Sequence, residues 1–322
     1  MMKGPLFYAK ILLFGEYGII KNAKALSIPY NYYKGALRMD GNTTEAAVSS
    51  NAKLKAFAEH LTTLDSALVT FDHKRLTSDL NKGMYFDSSI PQGYGVGSSG
   101  ALVAAIYDRY AFGKITVLEN LTRQKLTKLK GIFSAMESFF HGKSSGLDPL
   151  NSFLSLPILI HSKSEIEPTG IPSQSQKGKA AVFLLDSGMT SETAPLVSIF
   201  LDNLEAPAFR KMMKHEFIAI SDRCIEHFLS GNISDLFSDV KKLSSVVLEH
   251  FSPMIPKRFR AVWKKGIDTN AYYLKLCGSG GGGYILGFTQ DLPKAKSILA
   301  DHQLEVVYTC LLYTSDAADD RI

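Results

Sequence analysis

The chain has 322 residues, 45% of them apolar, so it can bury a sizeable core, and two domains are expected. Its formal charge of +5 is spread among alternating lysines and acids, which gives no support to nucleic-acid binding, and its three cysteines lack disulfide or zinc spacing. No apolar run approaches the roughly 20 residues that span a bilayer, and the first residues lack a cleavable-signal pattern, so a cytoplasmic protein without a membrane partner is expected.

The first half of the chain alternates strand-like and helix-like patterns. Apolar residues alternate with small or polar ones over 5–38, which predicts strands joined by turns, and an apolar stripe over 46–61 predicts a helix. The further predictions in this half are strands at 67–72 and 83–90 and helices at 99–112, 117–130 and 131–141.

The second half begins after a polar segment at 163–179, whose two prolines make it the candidate domain boundary. We therefore predict one domain at 1–168 and another at 178–308. The predicted elements beyond the boundary are a strand at 181–186, a long helical region from about 194 to 251, a helix at 257–265, strands at 271–277 and 284–289, a helix at 291–302 and a strand at 304–308. Helices that pack on one face of such a sheet give an α+β fold.

The last residues read CLLYTSDAADDRI, which resembles translated sequencing-adaptor sequence. We therefore treat residues 310–322 as an artefact tail and leave them out of the fold. An ordinary frayed acidic tail is the alternative interpretation.

A glycine-rich stretch at residues 90–110, IPQGYGVGSSGALVAAIYDRY, precedes one of the predicted helices. Helix N-termini carry unpaired amide donors and partial positive charge, so they attract anions. Glycine lets the backbone approach a phosphate closely and adopt positive φ. A glycine loop alone is a weak signal, and a plain tight turn would explain it equally well. No lysine follows the last glycine, as one does in a P-loop, and no apolar strand directly precedes the loop, as one does in a dinucleotide-binding fingerprint.

The wider pattern from Pro91 to Ser99 resembles the phosphate-binding motif of the GHMP kinases, although Val96 stands where that family usually has leucine. The resemblance implies that the loop wraps the phosphates of ATP and that the Ser99 hydroxyl is a ligand of Mg²⁺. The ATP-binding residues implied in this way are Gly93, Gly95, Val96, Gly97, Ser98, Ser99 and Gly100.

Two further motifs of that family follow in the expected order. Residues 9–17, AKILLFGEY, resemble its N-terminal motif, in which a lysine precedes an apolar strand that ends in Gly-Glu, and residues 275–283, KLCGSGGGG, resemble its C-terminal glycine-rich motif. The family fold this implies has two domains, an N-terminal mixed sheet with helices and a C-terminal ferredoxin-like α/β sandwich.

Residues 136–149, MESFFHGKSSGLDP, resemble the pattern of the mevalonate kinases within that family. The resemblance implies that Glu137 binds Mg²⁺ together with Ser99. It implies that Asp148 accepts the proton of the attacking hydroxyl, and that Lys10 keeps Asp148 ionised and eases deprotonation of the alcohol. The remaining residues that it places near substrate or phosphates are Glu16, Ser145, Thr193, Gly278, Gly280 and Gly281.

The expected activity is therefore phosphorylation of the primary hydroxyl of mevalonate by ATP, a step of isoprenoid precursor synthesis. The alternatives are another GHMP kinase, such as phosphomevalonate kinase or homoserine kinase, then a mevalonate diphosphate decarboxylase, and last a metabolite sensor on an inactive kinase scaffold. The expected partner is a small-molecule alcohol, and a homodimer is kept open.

Overall fold

The computed structural model describes residues 2–117, 121–162, 165–173 and 178–310. It divides into two compact units. One contains the residues up to Leu12 together with Ser27–Thr169, and the other contains Leu13–Leu26 together with the residues from Gly170 onward. That these units are the ATP-binding and C-terminal domains of a kinase stays a prediction. The adaptor-like segment lies, from residue 311 onward, outside the described residues.

Within the described residues, the first unit combines a six-stranded sheet with five α-helices. In chain order its elements are β1 (Met2–Lys3), β2 (Phe7–Phe14), β3 (Ala25–Met39), α1 (Glu45–Leu61), α2 (His73–Asn81), β4 (Tyr85–Ser88), α3 (Ser98–Tyr110), α4 (Arg123–His141), α5 (Leu147–Leu154), β5 (Ile158–Ser162) and β6 (Glu165–Pro168). The end residues of β2 and β3 belong to the second unit. The 15-residue β3 organises the sheet, because β1, β2, β4 and β5 all pair with it and β6 pairs with β5.

Helix α3 forms the centre of this unit. Its small residues Ala101, Ala104 and Ala105 are all buried, which allows neighbouring helices to approach closely. Helix α5 packs against α3, and α4 packs against α5. Gly100 marks the closest approach, because a Cβ built there would lie 2.6 Å from the backbone carbonyl carbon of Asp148. The helices that carry Ser99 and Asp148 are thus held in close backbone contact.

The second unit contains the remaining elements. These are β7 (Ala180–Asp186), α6 (Thr193–Asn203), α7 (Pro207–Met212), α8 (Ile218–Ser230), α9 (Ile233–His250), α10 (Phe259–Thr269), β8 (Tyr273–Leu276), β9 (Tyr284–Thr289), α11 (Leu292–Ile298) and β10 (Leu304–Cys310). A single π-helical segment, Met213–Phe217, joins α7 to α8.

The sheet of this unit has the strand order β10-β7-β9-β8, with every neighbouring pair antiparallel. In chain order this is 4-1-3-2 with helical crossovers, the β-α-β-β-α-β arrangement of ferredoxin-like folds. Helix α9 packs on β8 and β9, and α8 and α10 pack on α9. The predicted α+β class with a ferredoxin-like C-terminal part is confirmed.

Candidate active site

The glycine loop of the first unit has the backbone conformation that the sequence suggested. Gly93, Gly95 and Gly97 all have positive φ, at 75°, 76° and 80°. Gly97 is the N-cap of α3, so no side chain covers the first amides of the helix. Alternating positive-φ residues turn successive N–H groups toward one side, and such turns at helix N-termini bind anions. The loop therefore has the form of a phosphate cradle.

Strand β2 holds this loop in place through its backbone. The amide of Lys10 donates to the carbonyl of Val96 at 3.0 Å, and the Val96 side chain is buried. Gly97 lies directly over the Lys10 side chain, because a Cβ built at Gly97 would be 3.0 Å from Lys10 Cγ and 3.6 Å from Asp148 Oδ2. A side chain at this position would therefore press on both groups.

Lys10 and Asp148 form an ion pair with 2.9 Å between Nζ and Oδ1. The Lys10 side chain is 6% exposed, whereas 35% of the Asp148 side chain is exposed, so the carboxylate stays accessible to a small molecule. Asp148 lies in the first turn of α5, after Gly146 at the N-cap with φ 71°, where the helix dipole favours a negative charge. The predicted proton acceptor and its predicted lysine partner are therefore in direct contact.

Glu137 and Ser99 are also brought together. The Ser99 hydroxyl donates to Glu137 Oε1 at 3.0 Å, and the Ser144 hydroxyl donates to Oε2 of the same carboxylate. Glu137 is only 3% exposed. Burial and the nearby negative charge of Asp148 raise the pKa of Glu137 to about 7, although the two hydroxyls and Lys10 act in the opposite direction. The two hydroxyls and Lys10 therefore do not fully offset the cost of burying the ionised Glu137 carboxylate near Asp148.

This donor set fits a divalent cation that also binds phosphate oxygens. Carboxylate and hydroxyl oxygens suit Mg²⁺, which commonly takes one or two protein carboxylates together with nucleotide phosphates. A cation beside Glu137 would offset the burial and the Asp148 charge that raise the pKa of this carboxyl group. Within the described ranges, no group of three or more His, Cys, Asp or Glu is placed to hold a metal ion.

A cleft of about 780 Å³ opens beside the glycine loop, within the size range of small-molecule sites. Gly93, Ser98 and Ser99 line the cleft, and so does the aromatic pair Phe139–Phe140, with 4.9 Å between the ring centroids. Asn42, Thr44 and Lys53 add polar groups. Sequence reasoning missed this cleft. The signal that could have found it is the pair of aromatic residues two and three positions after Glu137.

Several predicted residues lie in the second unit and contact one another there. Lys275 donates to Glu16 within a buried ion pair, and the Tyr17 hydroxyl donates to the Ser279 carbonyl at 2.7 Å. The Ser279 hydroxyl in turn donates to Thr193 Oγ1 at 3.2 Å. The carboxylate of Glu16 is thus engaged by an ammonium group, and Thr193 adjoins the C-terminal glycine loop.

The C-terminal glycine loop adopts positive φ at Gly278, Gly280 and Gly281. The amide of Gly281 donates to the Met254 carbonyl at 2.6 Å, so this donor already has a protein partner. Ser145, in the first unit, is exposed, and its hydroxyl accepts from the Leu147 amide at 3.4 Å in the turn before Asp148. That these residues lie near substrate or phosphates stays a prediction.

Comparison with protein families shows that residues 55–155 match the family described as GHMP kinases N terminal domain. This range contains the glycine loop, Ser99, Glu137 and Asp148. A comparison with curated proteins gave no match.

Solved structures resemble the chain over nearly its whole length. The structure of L. major mevalonate kinase in complex with R-mevalonate is 16% identical, with a TM-score of 0.64 and 97% of each chain covered. Streptococcus pneumoniae phosphomevalonate kinase, in complex with phosphomevalonate and AMPPNP, is 12% identical, with a TM-score of 0.59 over 95% of this chain and 100% of that one. Lactococcus lactis galactokinase, complexed with galactose, is 10% identical, with a TM-score of 0.57 over 95% and 93%. At these identities the likeness shows a shared fold.

Proposed function

We propose, from the match of residues 55–155 to the GHMP kinase N-terminal domain, that this chain is an ATP-dependent kinase of a small-molecule alcohol. The observation that carries the proposal is the 2.9 Å ion pair of Lys10 and Asp148, directly beneath Gly97 of the glycine loop. An accessible carboxylate, a buried ammonium and a phosphate cradle are the groups that phosphoryl transfer requires within one small volume.

Each group has a defined part in the reaction. The amides of the glycine loop and of the first turn of α3 bind the phosphates of ATP. Asp148 accepts the proton of the acceptor hydroxyl, whose oxygen forms a bond to the terminal phosphorus while the bond from that phosphorus to the bridging oxygen breaks and ADP leaves. Lys10 stabilises the ionised form of Asp148 and the negative charge that develops on the attacking oxygen.

Ser99 and Glu137 would hold a Mg²⁺ ion that accompanies ATP, and this ion would neutralise part of the phosphate charge. The protein's own contribution is to keep the Glu137 carboxylate buried and bonded to two hydroxyls, so that it is oriented before ATP arrives. The cleft beside the loop, with its aromatic wall, takes the nucleoside of ATP.

The primary hydroxyl of mevalonate is the acceptor we propose. The support is the resemblance of residues 136–149 to the mevalonate kinases and the fold shared with a mevalonate kinase that binds R-mevalonate. Ser145, Glu16, Thr193 and the C-terminal glycines are proposed to lie near the substrate or phosphates. Phosphomevalonate is the second candidate acceptor, because a phosphomevalonate kinase shares the fold over a similar length.

The acceptor is tested by measuring ADP release from purified protein with mevalonate, phosphomevalonate, homoserine and galactose offered separately. We expect ADP release that depends on mevalonate, with kcat/KM at least about 100-fold above that for the other three acceptors. A preference for another alcohol would replace the proposed acceptor but keep the kinase. Equal, slow ADP release with and without every alcohol would contradict the kinase itself.

A further inference from the structure

Ser144 lies between the two candidate catalytic carboxylates, and neither the motifs nor the comparisons assign it a role. It follows α4, which carries Glu137, and precedes α5, which carries Asp148. Its hydroxyl donates to Glu137 Oε2 and accepts from the Gly146 amide at 3.0 Å. Its carbonyl accepts from the Ser134 hydroxyl at 2.5 Å. Ser144 is therefore bonded to α4 at two points and to the N-cap of α5 at a third.

The direction of these bonds follows from the chemistry of a hydroxyl group. A serine hydroxyl has one hydrogen to donate and can accept at its lone pairs. The Gly146 amide can only donate, so the Ser144 oxygen accepts from it, and the single hydroxyl hydrogen remains for Glu137. Gly146 itself cannot shift easily, because a Cβ built there would lie 2.2 Å from the Lys130 carbonyl oxygen. The Ser144 hydroxyl, which donates to Glu137 Oε2, therefore belongs to a tightly packed turn.

We propose that Ser144 is a positioning residue for the divalent-cation site, which fixes Oε2 of Glu137 and leaves Oε1, beside the Ser99 hydroxyl, as the oxygen that meets the cation. This inference rests on the proposed function, since it concerns the cation that accompanies ATP there. Both oxygens of Glu137 accept from a hydroxyl, Oε1 from Ser99 and Oε2 from Ser144. Because Ser99 is the other proposed ligand, a cation that binds Ser99 would meet Oε1, while the hydrogen bond from Ser144 holds Oε2 in place. That single-oxygen mode suits Mg²⁺, whereas Ca²⁺ readily takes both oxygens of a carboxylate.

The proposal predicts a specific defect in Ser144→Ala. Without its donor the Glu137 carboxylate can rotate, so we expect the affinity for Mn²⁺, used as a Mg²⁺ probe in the presence of AMPPNP, to fall about 10-fold. We also expect Ca²⁺ to compete better against Mn²⁺, relative to Mg²⁺, than it does in the wild type. Electron paramagnetic resonance of free Mn²⁺ measures both quantities without any turnover.

The matched control is Ser138→Ala. Ser138 lies one position after Glu137 on the same helix, is half-buried like Ser144, and donates to the Ala135 carbonyl at 2.7 Å. A general loss of helix stability would affect both variants, but only Ser144→Ala should change Mn²⁺ affinity. Ser144→Thr keeps the hydroxyl and should stay within about threefold of the wild type. It also decides the question if Ser144→Ala does not fold, since weak Mn²⁺ binding by folded Ser144→Thr would overturn the proposal.

Glu137→Gln separates this inference from the proposed function. If Glu137→Gln weakens Mn²⁺ binding but Ser144→Ala leaves both affinity and Ca²⁺ competition unchanged, the positioning role is wrong and the kinase site stands. If Glu137→Gln binds Mn²⁺ as the wild type does, the cation site itself is wrong, and the role of Ser144 falls with it.

Discussion

Gly97 lies beside the ion pair of Lys10 and Asp148, and a Cβ built at this position would contact both side chains. Its φ of 80° suits glycine, and a Cβ there would press on Lys10 Cγ at 3.0 Å. Gly83 has a similar φ of 84°, but a Cβ there would meet nothing within 4 Å. The two positions therefore separate the cost of the backbone conformation from the cost of disturbing Lys10.

We predict that Gly97→Ala and Gly83→Ala each lose about 1–2 kcal/mol of unfolding free energy, because both place an alanine in the left-handed region. Only Gly97→Ala should also lower kcat, by about 10- to 100-fold, since it displaces the Lys10 ammonium. Urea unfolding and steady-state kinetics measure the two effects. Equal kcat values in both variants would show that the contact with Lys10 does not matter.

Ser99 and Glu137 provide a second test at the level of single residues. Ser99→Ala and Glu137→Gln should each raise the Mg²⁺ concentration needed for half-maximal activity, because each removes an oxygen ligand. A titration of activity with Mg²⁺ at constant ATP measures this, with Ser138→Ala as the control. An unchanged Mg²⁺ dependence in both variants would remove these residues from the cation site.

Helices α8 and α9 are joined by a buried carboxylate. Asp239 on α9 is 6% exposed and accepts two hydrogen bonds from the Arg223 guanidinium of α8, at 2.9 and 3.0 Å. These hydrogen bonds hold the pKa of Asp239 below its ordinary value, although burial acts against them. Asp239 therefore stabilises the folded state above the ordinary aspartate pKa, and this contribution disappears as the pH falls through the folded-state pKa.

We predict that Asp239→Asn lowers the unfolding free energy by about 1–3 kcal/mol at pH 7 and that the difference from the wild type shrinks below about pH 3.9. The control is Asp268→Asn on α10, whose ion pair with Lys264 is exposed and should contribute less than about 1 kcal/mol. Chemical denaturation at pH 7 and pH 3 measures both. A difference for Asp239→Asn that grows toward acid pH would contradict the assigned pKa direction.

Some helices and strands lie where the sequence patterns predict them. Helices α1 and α3 and strands β7 and β9 begin and end within about two residues of their predicted positions. The two helices have an apolar stripe after a cap or glycine, and the two strands are short, almost continuously buried runs with a glycine nearby. The prediction of two separate helices, at 117–130 and 131–141, is wrong, because the structure has one helix there, α4 at Arg123–His141. Helix α4 runs without a break through Gly131, because a single glycine weakens a helix by only about 1 kcal/mol relative to alanine.

Other elements depart from their local patterns. The predicted strand at 67–72 is wrong, since Phe71 makes only an isolated bridge with Ala111 and Asp72 then caps α2, accepting from the Arg75 amide at 3.0 Å. The dipeptide Asp148-Pro149 alone favours a turn, yet both residues lie in helix α5, because proline is compatible with a first helical turn.

The residues of the candidate site also differ in whether the sequence alone could predict them. Lys10, Ser99, Glu137 and Asp148 could be named from motifs, but the bridge through Ser144 depends on how α4 and α5 pack, which no local pattern encodes.

Over 95–97% of its length the chain shares its fold with the three solved kinases named above, although sequence identity is only 10–16%. Among the described residues, none of the helices combines the length and the apolar composition that spanning a bilayer requires. A fold kept at such low identity does not fix the substrate, so binding and turnover must be measured separately.

We predict that AMPPNP with Mg²⁺ stabilises the protein against heat by several degrees at 100 times its Kd, which corresponds to about 2.7 kcal/mol. Asp148→Asn should show a similar increase in Tm, because Asp148 is proposed to act on the acceptor and the glycine loop to bind the phosphates. Differential scanning fluorimetry measures this. The absence of any increase in the wild type would mean that the loop does not bind the nucleotide.

The most direct measurement follows the phosphoryl group itself. ATP labelled in its terminal phosphate is mixed with mevalonate and either the wild type or Asp148→Asn, and the label on the alcohol is counted over time. We expect rapid labelling by the wild type and a rate at least about 1,000-fold lower for Asp148→Asn, whose nucleotide-induced Tm increase is retained. Nucleotide binding without labelling by the wild type would indicate a sensor, and wild-type-like labelling by Asp148→Asn would contradict the role of the carboxylate beside Lys10.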